Sequence, residues 1–118
     1  MKKILVVEDD LLLSMLNKKH LQRMGHIVIN VVTNGKDAIE SVKRDKPDLI
    51  LMDIRIKGDI DGIETMVEIS KFSDIPVIYL TGNSNEDCKA RAVKTNMLAF
   101  CLKPMHLEEL QHIISNSY

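Results

Sequence analysis

Cysteines, long apolar runs and an excess of either charge are all missing or scarce in this sequence. The two cysteines, Cys88 and Cys101, lack CxxC spacing, so we expect reduced thiols and a cytoplasmic protein, with a disulfide as the lesser alternative. No stretch approaches the length of a membrane span, and Glu8 ends the first apolar run too early for a signal peptide. Sixteen Lys and Arg against seventeen Asp and Glu leave a formal net charge of −1, which favours neither nucleic acid nor a membrane as a direct partner.

The chain has 118 residues and contains no linker, repeat or low-complexity segment. We therefore expect one domain spanning residues 1–118. A domain of this size buries roughly two-thirds of its unfolded surface and needs no disulfide to fold.

Five short apolar runs alternate with five segments of helical periodicity. The central run, Leu49–Met52, is bounded by acids at both ends and is too short for a buried helix, so it predicts a strand covered on both faces. The other predicted strands are Ile4–Val7, Ile27–Val32, Pro76–Leu80 and Leu98–Leu102. This alternation predicts an α/β fold, a flavodoxin-like (βα)5 doubly wound domain with a five-stranded parallel sheet in the order 2-1-3-4-5. Asn30 interrupts the second strand and places it at a sheet edge.

Helix faces and caps follow from the same periodicity. We expect Asn34 to cap the second helix. The predicted core face of the first helix comprises Leu13, Leu16, His20, Leu21 and Met24, and that of the third comprises Ile63, Met66, Val67 and Ser70. The fourth helix, with a capping box beginning at Ser84, has only Ala90, Ala92 and Val93 as apolar residues, so we expect it to be loosely held.

Polar residues follow four of the five predicted strands. Glu8 and Asp9 end the first strand, Asp53 the third, Thr81 the fourth and Lys103 the fifth. Ligands of open α/β sheets bind beyond the carboxyl ends of the strands, where the winding reverses. Each residue alone has an ordinary structural explanation, such as an acid at a helix N-terminus. Their joint occurrence at four strand ends predicts a functional site.

Three clustered carboxylates repel one another and favour a bound cation. Mg²⁺ is the hard cation that carboxylates hold together with waters and a phosphate oxygen. An aspartate beside it can act as a nucleophile toward a phosphoryl group. Lys103 could then bind a phosphate oxygen and Thr81 could donate a hydrogen bond.

The chain resembles a response-regulator receiver domain of two-component (phosphorelay) signalling over essentially its full length. The matching motifs are Glu8-Asp9, Asp53, Thr81-Gly82 and Lys103-Pro104. The resemblance implies that Asp53 takes a phosphoryl group from a sensor histidine kinase or a phosphotransfer protein. It also implies a signalling domain rather than a conventional enzyme.

The resemblance further implies how the site works. Mg²⁺ would be bound by four residues: Glu8 (mostly through water), Asp9, Asp53 and the backbone carbonyl of Arg55. Lys103 would bind the phosphoryl group, and its bond to Pro104 would be cis. Thr81 and Phe100 would move together on phosphorylation and change a surface within residues 84–114 that meets a downstream effector. The protein would be a monomer or a weak phosphorylation-dependent dimer.

Several residues depart from the commonest family pattern. Glu8 stands where aspartate is more frequent, Lys57 where many relatives have proline, and Phe100 lacks the hydroxyl of the commoner tyrosine. Arg55 and Asn83 occupy positions that tune the lifetime of the phosphoryl group in this family.

Three other classes share parts of the pattern. A phosphohydrolase of the haloacid dehalogenase type needs a second acid two residues after its nucleophile, where this chain has Arg55. A receiver-like module that is never phosphorylated usually loses part of the acid–lysine set, which is complete here. A flavin-binding protein of the same topology needs a Ser/Thr/Gly phosphate loop where this chain has Glu8-Asp9-Asp10.

Overall fold

Strands and helices alternate along the chain in a computed structural model that describes residues 1–82 and 86–117. The elements are β1 (Lys3–Val7), α1 (Leu11–Arg23), β2 (Ile27–Val32), α2 (Gly35–Asp45), β3 (Leu49–Asp53), α3 (Gly62–Ile69), β4 (Val77–Thr81), α4 (Glu86–Ala92), β5 (Met97–Leu102) and α5 (Leu107–Ser117). The five strands form one parallel sheet in the order β2-β1-β3-β4-β5, which confirms the predicted fold. The capping box expected at Ser84 and the position of Asn83 lie outside the described residues.

Burial on both faces explains why the central strands are apolar along their whole length. One face of the sheet packs against α1 and α5 through residues such as Leu51, Leu21 and Leu110. The opposite face packs against α2, α3 and α4, with Met52 and Met66 among its buried residues. Each such side chain contributes about 1.5–3 kcal/mol when it leaves water. None of the described helices is long and apolar enough to span a bilayer.

Strand β2 lies at one edge of the sheet, as predicted from its polar interruption. Among the described strands it pairs only with β1, and most of its residues are partly exposed. Asn30 lies in this strand, and its side chain donates to the Ser41 hydroxyl of α2 at 3.4 Å. An amide side chain is tolerated here because an edge strand is only half covered.

Helix caps follow the local sequence. The Asn34 side chain accepts a hydrogen bond from the Asp37 amide at 2.9 Å, so the predicted cap of α2 is confirmed. Asp10 caps α1 by accepting from the Leu13 amide at 3.1 Å. Side-chain acceptors of this kind satisfy amides that the first turn of a helix leaves unpaired.

The predicted core face of α1 was partly wrong. The buried residues of the helix are Ser14, Asn17 and Leu21, whereas Leu16 is exposed. Ser14 can face the sheet because its hydroxyl donates to the Leu11 carbonyl at 2.8 Å and is therefore satisfied without water.

Because Ser14, Asn17 and Leu21 face the sheet, a row of apolar residues lies on the outer surface of α1. We call it the α1 apolar patch, and its members with their exposed fractions are Leu11 (75%), Leu12 (79%), Met15 (53%) and Leu16 (44%). Exposed apolar side chains scattered singly are ordinary, but four on two adjacent turns form a contiguous surface. The patch begins next to Asp10, at the carboxyl edge of the sheet.

The face of α3 also differs from the prediction, because Val67 and Ser70 are exposed and Thr65 and Ile69 are buried. The Thr65 hydroxyl donates to the Asp61 carbonyl at 2.7 Å, which allows its burial.

Gly62, the first residue of α3, lies directly against the end of β3. Its amide donates to the Ile54 carbonyl at 2.7 Å, and a Cβ there would collide with the Asp53 carbonyl oxygen and crowd the Met52 side chain. A residue without a side chain is therefore required where the helix meets the strand.

Candidate functional site

The register of the sheet brings the predicted site residues to one edge. Val7 of β1 lies opposite Met52 of β3, so Glu8 and Asp53 follow on neighbouring strands. Asp53 lies opposite Leu80, the residue before Thr81. Parallel strands end at the same edge, and the winding reverses between β1 and β3, as the topology of a ligand site requires.

Three carboxylates converge at this edge. Glu8, Asp9 and Asp53 each offer one carboxylate oxygen, and these oxygens lie within 4.8 Å of one another. Glu8 and Asp53 are buried, and Asp9 is half-buried. Like charges at this separation repel strongly unless a cation or a proton joins them.

Lys103 supplies one such cation. Its Nζ lies 2.9 Å from Asp53 Oδ2 and 2.9 Å from Glu8 Oε1, with the lysine side chain only 17% exposed. The ammonium thus bridges two acids that are distant from it and from each other in the chain. The sequence predicted the lysine at this edge, but not that it contacts both acids.

The pKa values of Glu8 and Lys103 are both raised, for different reasons. Burial, followed by the nearby Asp53 carboxyl group, raises the pKa of Glu8 above its ordinary value, against the opposing effect of Lys103. Burial alone would lower the pKa of Lys103, but its bonds to Glu8 and Asp53 outweigh burial and raise it. The lysine is therefore charged at neutral pH and the glutamate holds a proton more readily than usual.

Backbone groups beside Asp53 complete this part of the site. The Arg55 amide donates to Asp53 Oδ1 at 3.3 Å, so the backbone of Arg55 lies next to the carboxylate. The Thr81 carbonyl accepts from the Lys103 amide at 2.8 Å, and the bond between Lys103 and Pro104 is cis. Thr81 is buried at the end of β4.

Phe100 lies on the same face of the sheet as the α2–α3–α4 layer. Its ring is half-buried and tilted against that of Tyr79, with centroids 6.3 Å apart. Aromatic pairs favour such tilted arrangements. Tyr79 is fully buried, and its contact with Phe100 was not predicted from the sequence.

Asp10 has a separate role from its two acidic neighbours. Its side chain caps α1, and its amide donates to Glu8 Oε2 at 3.2 Å. The ordinary explanation of this acidic run as a helix start therefore holds for Asp10, while Glu8 and Asp9 face the site.

The donor set fits a hard divalent cation. All three side chains offer oxygen, which Mg²⁺ prefers. Glu8 Oε1 is buried and has no hydrogen-bond partner among the described residues, although Lys103 lies within ion-pair distance of it. A buried acceptor left without a hydrogen bond is costly, and a metal ion or its bound water could satisfy it.

Comparison with known proteins adds independent information. The sequence model of the response regulator receiver domain matches residues 4–115. Transcriptional regulatory protein ZraR of Klebsiella oxytoca is 36% identical over 115 residues, which make up 97% of this chain and 26% of that protein. Regulatory protein LuxO of Vibrio cholerae serotype O1 is 32% identical over 113 residues, or 95% of this chain and 24% of that protein. The chain thus spans about a quarter of the length of these relatives.

Solved structures share the fold. The signal receiver domain of a modulated diguanylate cyclase from Desulfovibrio desulfuricans G20 aligns with a TM-score of 0.91 and 28% identity, covering 98% of this chain and 92% of that one. A DNA-binding response regulator of the LuxR family from Staphylococcus aureus aligns with a TM-score of 0.90 and 25% identity, covering 98% of both chains. Fold, acidic edge and sequence match agree along nearly the whole chain, which therefore belongs to the response regulator receiver domains, the signalling domains of two-component systems.

Proposed function

We propose that Asp53 is the phosphoacceptor of this domain and that phosphorylation requires Mg²⁺. The observation that carries the proposal is the arrangement around Asp53. Its carboxylate is buried beside two further carboxylates and bonded to Lys103. The ammonium is thus already in place for an incoming phosphoryl oxygen, and the acids form a cation site around the nucleophile.

Phosphoryl transfer from a donor phosphohistidine to Asp53 is a substitution at phosphorus. A carboxylate oxygen of Asp53 forms a bond to the phosphorus atom, and the phosphorus–nitrogen bond of a donor phosphohistidine breaks. The imidazole leaves with the electron pair and is neutral once its nitrogen carries a proton. Lys103 binds a phosphoryl oxygen by charge, and the acyl phosphate remains on Asp53.

Four groups would hold the metal: the side chains of Glu8, Asp9 and Asp53 and the backbone carbonyl of Arg55. A bound Mg²⁺ would neutralise phosphoryl charge in the transition state. Glu8 keeps its raised pKa only while the metal is absent, because a divalent cation favours the ionised carboxylate. Arg55 also replaces the second acid that a phosphohydrolase of the haloacid dehalogenase type would need, which favours the receiver function.

A conformational change would transmit the phosphorylation signal to the effector. We infer that Thr81 turns toward the phosphoryl group and that Phe100 repositions with it, changing a surface within residues 84–114 that an effector recognises. Residues 84 and 85 lie outside the described part of that range. The half-buried Phe100 supports this, because a ring at the edge of the core can move without opening a large cavity. We further propose that residues 1–118 fold as one receiver unit and that the unit is a monomer or dimerises weakly on phosphorylation.

Phosphoryl uptake without a kinase tests this function. A small acyl phosphate, acetyl phosphate, should add one phosphoryl group to the wild-type chain in millimolar Mg²⁺ and none in excess EDTA. Intact-mass spectrometry at neutral pH measures both. Uptake that is equal with and without the metal would contradict the proposed site, and no uptake in either condition would favour a receiver-like module that is never phosphorylated.

The α1 apolar patch fits the phosphodonor protein. It begins beside Asp10, two positions after Glu8, so a partner that brings a phosphohistidine to Asp53 must pass close to it. Its four side chains are apolar and exposed, which suits the apolar face of a helix that carries the donor histidine.

Leu12→Lys should therefore slow transfer from a histidine kinase by roughly tenfold or more, since burying one leucine contributes about 1.5–3 kcal/mol. Its uptake from acetyl phosphate should remain at the wild-type rate. The matched control is Val67→Lys, which changes an apolar, 49% exposed residue of α3 on the opposite side of the sheet. Equal kinase rates for both variants would exclude the patch as the docking surface.

A further inference from the structure

The last turn of α4 is held by contacts that the phosphoacceptor site does not explain. The helix has only seven residues, and Ala92 is the one that is buried. Val93, which follows it, is 55% exposed. The half-buried Cys88 also packs against the core, but burial of two small side chains contributes little, so polar contacts provide much of the stabilisation of this end of the helix.

A chain of two hydroxyl groups ties this end to β4. The Tyr79 hydroxyl oxygen lies 2.7 Å from Thr95 Oγ1, and Thr95 Oγ1 donates to the Ala92 carbonyl at 2.6 Å. A threonine hydroxyl has one hydrogen, so Tyr79 must be the donor of the first bond. Burial raises the pKa of Tyr79 to about 12, so the phenol keeps its hydrogen at neutral pH. The carbonyl of the last α4 residue is thereby linked to a fully buried strand residue.

An ion pair ties the same turn to α3. The Arg91 guanidinium lies 3.0 Å from Asp61 Oδ2 and 3.2 Å from Oδ1. Asp61 is the N-cap of α3 and also accepts from the Glu64 amide at 2.8 Å. The next residue, Gly62, bonds to the carbonyl of Ile54, which directly follows the phosphoacceptor. Arg91 is thus connected to the loop that leaves the site.

We propose that the Tyr79–Thr95 hydrogen bond and the Arg91–Asp61 ion pair together form a latch that holds the C-terminal end of α4 in the unphosphorylated state. The latch sets how easily α4 moves when the site is occupied, and this second statement rests on the proposed function. Phe100 strengthens the connection, because its ring packs against Tyr79, so a movement of Phe100 displaces the residue that anchors α4.

Amide hydrogen exchange of the full chain without metal tests the latch itself. Tyr79→Phe removes only the hydroxyl group and should speed exchange in residues 89–95 about fivefold, the effect of one hydrogen bond. Arg91→Gln should speed it by a smaller factor, about twofold, because the ion pair is partly exposed. Thr95→Val should speed exchange at least as much as Tyr79→Phe, because it also removes the bond to the Ala92 carbonyl. Combining Tyr79→Phe with Thr95→Val should add little to Thr95→Val alone, since the bond that the two residues share is already lost. Lys89→Gln removes a positive charge from the same helix and should leave the rates unchanged.

Two results would overturn the latch. One is unchanged exchange in residues 89–95 of Tyr79→Phe. The other is equal acceleration in α1 and α5, which would mean that the hydroxyl pair stabilises the whole fold and not α4 in particular.

Beryllium fluoride with Mg²⁺, a stable phosphoryl analogue, tests the second statement. A ligand that favours the released form of α4 should bind the Tyr79→Phe variant tighter by up to the same fivefold factor, because coupling between two sites is reciprocal. Unchanged affinity together with faster apo exchange would overturn the link to the switch. If the wild type does not bind the analogue at all, the proposed function fails, while the exchange experiment still decides on the latch.

Discussion

Asp53→Asn is expected to abolish phosphoryl uptake from any donor. The amide has nearly the same shape as the carboxylate but cannot attack phosphorus, and no other described carboxylate lies so close to Lys103 except that of Glu8. Intact-mass spectrometry after incubation with acetyl phosphate and Mg²⁺ measures the loss. The wild-type phosphoryl group should be released by hydroxylamine, which attacks the acyl carbon and frees inorganic phosphate.

Asp59→Asn is the matched control for this variant. Asp59 is an exposed acid in the loop after β3, and its substitution should leave uptake at the wild-type level. A phosphorylated species of the same mass in Asp53→Asn would contradict the assignment of the nucleophile.

Lys103→Met should destabilise the apo protein strongly. The substitution keeps most of the apolar stem but removes the cation that lies 2.9 Å from both Glu8 and Asp53, leaving two buried carboxylates without it. Breaking a buried pair in this way typically costs 3–5 kcal/mol, and the partial exposure of Lys103 favours the lower end, about 3 kcal/mol. Urea denaturation in EDTA at pH 7.5 measures the change.

Acid should reduce this deficit. Burial raises the pKa of Glu8 in the folded protein and Lys103 opposes the rise, so this pKa should be higher in Lys103→Met than in wild type. A carboxyl group with a raised folded pKa favours folding most below its unfolded pKa, and this advantage is lost as the pH rises through the folded pKa. The gap between Lys103→Met and wild type should therefore be smaller at pH 5 than at pH 7.5. Adding Asp53→Asn should also restore part of the stability, because one of the two uncompensated charges is removed.

Lys94→Met provides the surface control. Lys94 is an exposed residue just after α4, and a surface substitution of this kind should change the free energy of unfolding by no more than about 0.5 kcal/mol. An equally small effect of Lys103→Met would mean that the ammonium does not compensate the buried acids.

The sequence contained enough information for the topology and for the location of the site. Short apolar runs such as Leu49–Met52 can only be buried strands, and the residues that follow them meet because parallel strands end at one edge. The side of each helix that meets the sheet was harder to predict. In α1 apolar residues occupy both the inner and the outer side, so periodicity cannot distinguish Leu21 in the core from Leu12 on the surface.

Contacts between residues distant in the chain could not be predicted from the sequence for a different reason. The bridge from Lys103 to Glu8 and the pair of Arg91 with Asp61 depend on side-chain reach across neighbouring elements. A single sequence shows which residue types are present but not which of several nearby acids each cation selects. The hydrogen bond between the Tyr79 and Thr95 hydroxyl groups was also not predicted, because a tyrosine in an apolar strand indicates only a buried core residue.

Position 62 tolerates only glycine, although it carries no functional side chain. The residue has no side chain that could react or bind a metal ion, yet any side chain there would collide with the carbonyl oxygen of Asp53. A mutational scan scored by signalling alone would consequently rank position 62 with Asp53 itself. Two different causes would share one phenotype, lost chemistry at position 53 and a displaced backbone at position 62. Scoring protein abundance beside signalling separates Asp53→Asn from substitutions of Gly62, since the asparagine has nearly the shape of the aspartate and only the Gly62 substitutions should deplete the folded protein.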